Sequence, residues 1–65
     1  MNILKSVKVS NAMNGTTQVQ LAEHLMFSQP WLGKMLKDNN PKHIASMAAF
    51  YGITTSQFIE RGEYE

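Results

Sequence analysis

Few side chains in this 65-residue chain are able to do chemistry, and most of those stand alone. His24 and His43 lie far apart in sequence, with no acidic cluster beside them and no cysteine anywhere in the chain. No zinc-type ligand set follows from that pattern. Asp38, His43 and Ser46 are the residue types of a nucleophilic triad. Neither a strand–turn–helix elbow nor an oxyanion loop accompanies them, so catalysis is not expected, and no cofactor is implied. What remains is a cationic stripe. Pro30, Gly33, Lys34 and Lys37 recur at i, i+3, i+4 and i+7, the spacing of one helix face. Two ammonium groups beside a residue without a side chain make a basic, sterically open surface that suits a polyanion.

The charge distribution along the chain agrees. The net charge is only +1. Residues 1–42 hold five lysines against Glu23 and Asp38, and residues 43–65 hold Arg61 against Glu60, Glu63 and Glu65. A basic front and an acidic tail fit a domain that turns one side to a polyanion; scattered solvated lysines are the plain alternative. Hydrophobic residues make up 43% and charged residues 17%, a globular composition. No apolar run approaches the ~20 residues of a membrane helix. Met1–Lys5 lacks the continuous apolar stretch of a secretory leader, so a cytoplasmic location is expected. A core of this size supplies only a few kcal/mol. A compact helical bundle or a dimer is therefore expected, and an enzyme with a deep pocket is not.

The elements that would position the stripe follow from local signals. Asn14-Gly15 is a turn or helix stop, and Thr16 or Thr17 then offers an N-cap hydroxyl. Val19, Leu21, Ala22 and Leu25 place a short helix over 17–25. Ser28 caps the next, and Pro30 falls in its first turn, where a missing N–H costs nothing. That helix covers 28–37, with Trp31, Leu32 and Met35 on its apolar side, Trp31 covering the core edge beside Met35. Asp38-Asn39-Asn40-Pro41 ends it. Ile44, Met47, Ala48 and Tyr51 predict a helix over 42–51, stopped by Gly52. Thr54 or Thr55 caps a last helix carrying Phe58 and Ile59, closed by Gly62. Residues 1–14 admit two readings. Ile3, Val7 and Ala12 or Met13 fit a helix, whereas Ser6–Ser10 alternates like a strand. A lone strand beside four helices lacks a partner, so the helix is favoured.

Two short helices meeting at Met26-Phe27 have the spacing of a helix-turn-helix, whose second helix is aimed at a DNA major groove. Ala22 is the small residue that such a crossing needs, Leu21 and Leu25 are the anchors around it, and Phe27 is the apolar plug of the turn. Leu32 and Met35 point inward from the second helix.

Here the chain resembles the Cro/C1 (XRE) family of phage and bacterial repressors. Thr17-Gln18-Val19-Gln20-Leu21-Ala22-Glu23-His24-Leu25 looks like the start of that family's motif, and Ser28-Gln29-Pro30-Trp31-Leu32-Gly33-Lys34-Met35 like its recognition helix. Ile44–Ile53 and Thr54-Thr55-Ser56-Gln57-Phe58 are similar to its fourth helix, its glycine stop and its fifth helix. The resemblance covers roughly 16–60. It implies an all-α, five-helix, lambda-repressor-like domain. Such a domain would repress transcription by covering operator DNA as a homodimer, as a small phage Cro-type regulator does. Ser28, Gln29, Pro30, Gly33 and Lys34 would then face base edges. Gln18, Lys37, Asn39, Asn40 and Lys42 would hold phosphates. Phe58, Ile59 and Tyr64 are an apolar supply for the dimer, with Phe58 also suited to closing the monomer core. Three features depart from the family pattern. Met26 stands where the family has glycine, at a cost of ~1–2 kcal/mol if the backbone is left-handed. The connection at Asp38-Asn39-Asn40 is shorter. Ser10 and Asn11 interrupt the usual pattern of the first helix. The rival class is a protein-interaction module of the same fold, an antirepressor or antitoxin-like relative that binds another repressor or a toxin.

Overall fold

The computed structural model describes residues 2–63. Its elements are α1 (Ile3–Asn14), α2 (Gln18–Leu25), α3 (Gln29–Lys37), a 3-10 turn (Pro41–His43), α4 (Ile44–Tyr51) and α5 (Thr55–Arg61). The described residues form no strand, so residues 3–14 take the helical alternative.

Every α-helix except α4 starts at a side-chain cap. Thr17 accepts from the Gln20 N–H while Gln20 Oε1 accepts from the Thr17 N–H, a reciprocal capping box. Thr54 and Gln57 repeat it at α5. Ser28 Oγ caps α3 through the Trp31 N–H, and Asn2 Oδ1 caps α1 through the Lys5 N–H.

The stops share one geometry. Gly15, Met26, Asn39 and Gly52 all take positive φ, at 67°, 62°, 55° and 71°. After each, the next N–H reaches back to a carbonyl five residues earlier: Thr16 to Asn11, Phe27 to Ala22, Asn40 to Met35 and Ile53 to Ala48. These are Schellman-type ends, which let the chain reverse at once into the next helix. Two are built on glycine and two are not. Gly62 is different. Its φ is −82°, so conformational freedom is not its role. It is buried, and an added Cβ would collide with the Asn2 carbonyl oxygen and Ser6 Oγ. Its missing side chain lets the end of α5 lie against the start of α1.

The core is built from Ile3 and Val7 of α1, Leu21 and Ala22 of α2, Leu32, Met35 and Leu36 of α3, Met47, Ala48 and Tyr51 of α4, and Phe58 of α5. α1 packs on α5, α3 and α4, and α4 on α5 and α2. The radius of gyration is 10.3 Å, near the ~10.7 Å of a compact chain of this length. The buried stripe of α1 continues through Ser6 and Ser10, whereas Ala12 and Met13 are exposed, contrary to the expected Ala12 or Met13 contact. The buried serines are satisfied. Ser6 Oγ donates to the Asn2 carbonyl (3.2 Å), and Arg61 Nη1 donates to Ser10 Oγ (3.0 Å). Asn11 Oδ1 accepts from the Tyr51 hydroxyl (2.6 Å) and from Thr16 Oγ1 (2.9 Å). Burial pushes the Tyr51 hydroxyl up to about 12, against a smaller opposing pull from the Arg61 charge.

Candidate nucleic-acid interface

α3 owes its orientation to what it buries. Leu32, Met35 and Leu36 are each at most 4% exposed and hold one face against the core. The opposite face carries Pro30, Lys34 and Lys37, all exposed, with Gly33 half-buried at its flank. From Gln29 to Lys37 the helix has no acidic residue. The Met26–Ser28 turn joins it to α2. The backbone of Met26 is left-handed and its side chain 91% exposed, so the strain foreseen there is present and no burial offsets it.

Gly33 is the informative residue of this surface. A Cβ built on it would meet nothing within 4 Å. Its φ is ordinary for a helix, so neither the turn chemistry nor the packing of this chain calls for glycine. A glycine inside a helix costs ~0.5–1 kcal/mol relative to alanine. The fold bears that cost without return, and the result is bare backbone beside two ammonium groups.

The remaining expected contacts divide. Gln29 opens α3 and Gln18 opens α2, both exposed. Lys42 is exposed in the 3-10 turn that follows α3. Three others have structural work. Ser28 Oγ accepts from the Trp31 N–H. Asn39 Oδ1 accepts from the Ile3 N–H (2.9 Å), tying the end of α3 to the start of α1. Asn40 Oδ1 accepts from the Lys42 N–H (3.0 Å). Asn39 and Asn40 thus shape the shortened connection, and their Oδ1 atoms, being acceptors, cannot bond a phosphate oxygen. Any grip by these two residues must come from other groups than Oδ1.

Trp31 is 51% exposed, and the fully inward positions of the helix belong to Leu32, Met35 and Leu36. Lys34 Nζ lies 5.9 Å from the indole centroid, within cation–π range. The sequence signal was present: Leu32, Met35 and Leu36 already complete an inward stripe, which leaves Trp31 at its edge. The histidines serve packing. His24 lies against Phe50 and His43 against Phe27, each with ring centroids 5.0 Å apart. Among the described residues no three metal-binding side chains come together, and no helix is long and apolar enough to cross a membrane.

No family model, no curated protein and no solved structure matches the chain. The functional assignment therefore stands on the geometry of α2, α3 and the turn between them.

Proposed function

We propose that the protein is a sequence-specific DNA-binding transcriptional regulator, a Cro-like phage repressor of lambda-repressor-like fold, in which α2, the Met26–Ser28 turn and α3 form the helix-turn-helix. The observation that carries this reading is the bare, cation-flanked backbone of Gly33 on a helix face free of acidic residues. An α-helix ~10–12 Å across fits the ~12 Å major groove, and a residue without a side chain lets its backbone approach the groove floor. In this reading Gln29 and Lys34 bond base edges, and Gln18, Lys37 and Lys42 bond phosphates.

The working unit in this proposal is a homodimer. The longest dimension of the domain is 27 Å, shorter than the ~34–36 Å between successive major grooves on one side of a duplex. Covering two half-sites takes two copies. Of the apolar residues expected to join them, Phe58 is fully buried in the monomer, Ile59 is partly buried, and Tyr64 lies outside the described residues. α5 packs on α1 and α4, while α3 packs on α1 and α2, which sets the acidic Glu60 and Glu63 on elements separate from the reading helix.

The deciding experiment selects bound duplexes from a random pool and titrates the winner with salt. A preferred sequence and a negative slope in log affinity against log salt support the proposal. Lys37→Ala should lower that slope by about one phosphate and weaken cognate and random duplexes together, whereas Lys34→Ala should weaken the cognate more. Absence of any preferred duplex refutes the proposal. The exposed Met26 and Trp31 favour the second reading, a module that binds a protein partner such as another repressor or a toxin. A salt-independent complex with a protein is its mark.

A further inference from the structure

We propose that the apolar pair Pro30–Trp31 makes α3 a reader of thymine methyl groups, with Trp31 a specificity residue beside the hydrogen-bonding Gln29 and Lys34. This rests on the DNA-binding reading of the same helix. Trp31 is half exposed although the core beneath it is complete, with Leu32, Met35 and Leu36 occupying the inward face. Pro30 is exposed next to it on the outward face, and the two are the exposed apolar side chains of α3. The Lys34 ammonium lies over the indole, 5.9 Å from its centroid. Its attraction to the ring ties the indole to the cationic stripe of the helix. The surface is therefore an apolar patch rimmed by Lys34 and Lys37 with no carboxylate on the helix.

The chemistry of the major groove leaves such a patch one apolar mate. Every base edge there offers donors or acceptors, and the thymine C5-methyl is the apolar group among them. The cations on the rim match the phosphates on either side of that methyl. A polar residue in place of Trp31 would serve phosphate affinity equally well, so on a helix laid in the major groove the indole's use is against a base step that carries methyls.

The test replaces thymine with uracil, one position at a time, in the duplex selected by the wild-type protein. The exchange removes a methyl and leaves every hydrogen-bonding group unchanged. At one or more positions the wild-type affinity should fall about fourfold, the worth of one methyl-sized group buried. In Trp31→Ala the thymine and uracil duplexes should bind alike at that position, while Trp31→Phe keeps part of the preference. Thermal melts of the variants check folding, and the wild-type comparison needs no variant at all. Equal wild-type affinity for thymine and uracil at every position overturns the proposal, as does a full thymine preference retained by folded Trp31→Ala. A chain that selects no duplex overturns both this proposal and the reading beneath it. A preferred duplex indifferent to the methyl overturns this one alone.

Discussion

Gly33→Ala separates what the fold wants from what the interface wants. The added Cβ meets nothing within 4 Å, and the residue sits inside α3 with helical neighbours on both sides. Nothing need move to admit it. The variant therefore gains the helix-interior difference between glycine and alanine, ~0.5–1 kcal/mol. In a domain of this size each kcal/mol moves the thermal midpoint by ~4–8 °C, so the melt should rise by about 2–8 °C. Binding should move the other way. A methyl group inserted into a close helix–groove contact costs about 1–3 kcal/mol by the measure of overpacked interiors, a loss of about 5- to 150-fold in cognate affinity. Circular dichroism melts and fluorescence anisotropy on the selected duplex, at one fixed salt concentration, read the two quantities. A more stable variant that binds as tightly as the wild type would refute the argument that Gly33 exists for close approach. A less stable variant would show that the space around it is not open.

Three further changes test the fold. Met26→Gly relieves a left-handed backbone and removes a side chain that is 91% exposed, so stability should rise by about 1 kcal/mol in a denaturant titration with unchanged slope. Gly62→Ala should do the reverse, because its Cβ collides with the Asn2 carbonyl oxygen and Ser6 Oγ; a loss of about 1–3 kcal/mol is expected in the same assay. Tyr51 makes stability fall at high pH. Its hydroxyl titrates near 10 when unfolded and is pushed up to about 12 when folded, so the folded state binds the proton more tightly. The contribution is complete below pH 10 and is lost as pH rises from 10 through 12. Thermal midpoints across that range should drop for the wild type and drop less for Tyr51→Phe.

The helix-forming signals were legible because they are local. Ser28 and one threonine of each pair, Thr17 and Thr54, cap the helices expected from them. Gly15 and Gly52 end helices at positive φ, and Leu21, Ala22, Leu32 and Met47 are buried as their spacing required. What escaped depends on the third dimension. The 3-10 turn at Pro41–His43 arises from the Asn40 side chain accepting from Lys42, a bond no periodicity announces. Gly62 carries the letter of a helix stop but serves a contact with residues nearly sixty positions earlier. Ser10 and Asn11, which break the apolar pattern of the first helix, are partners of Arg61 and Tyr51 and make sense only once those side chains arrive. At the candidate site the cationic stripe was visible in the spacing of Lys34 and Lys37. The pairing of the Trp31 ring with Lys34 was not, because spacing fixes which residues share a side of a helix but not the rotamers that bring their ends together.

Those long-range polar contacts bear on how so small a chain frees a surface for binding. A 65-residue domain has little apolar reserve. Here the ends of the chain are joined by close packing of Gly62 on Asn2 and by Arg61 on Ser10. The start of α1 is held to the end of α3 by Asn39, and the end of α1 to α4 by Tyr51 and Asn14. Each of these bonds lies on α1, α4, α5 or a connection. α3 contributes Leu32, Met35 and Leu36 to the buried core, while its outward side chains are exposed. The outward positions 29, 30, 31, 34 and 37 are therefore free to change with a ligand while the core residues stay fixed. Stability and recognition meet at Gly33, where one absent methyl group trades the first for the second.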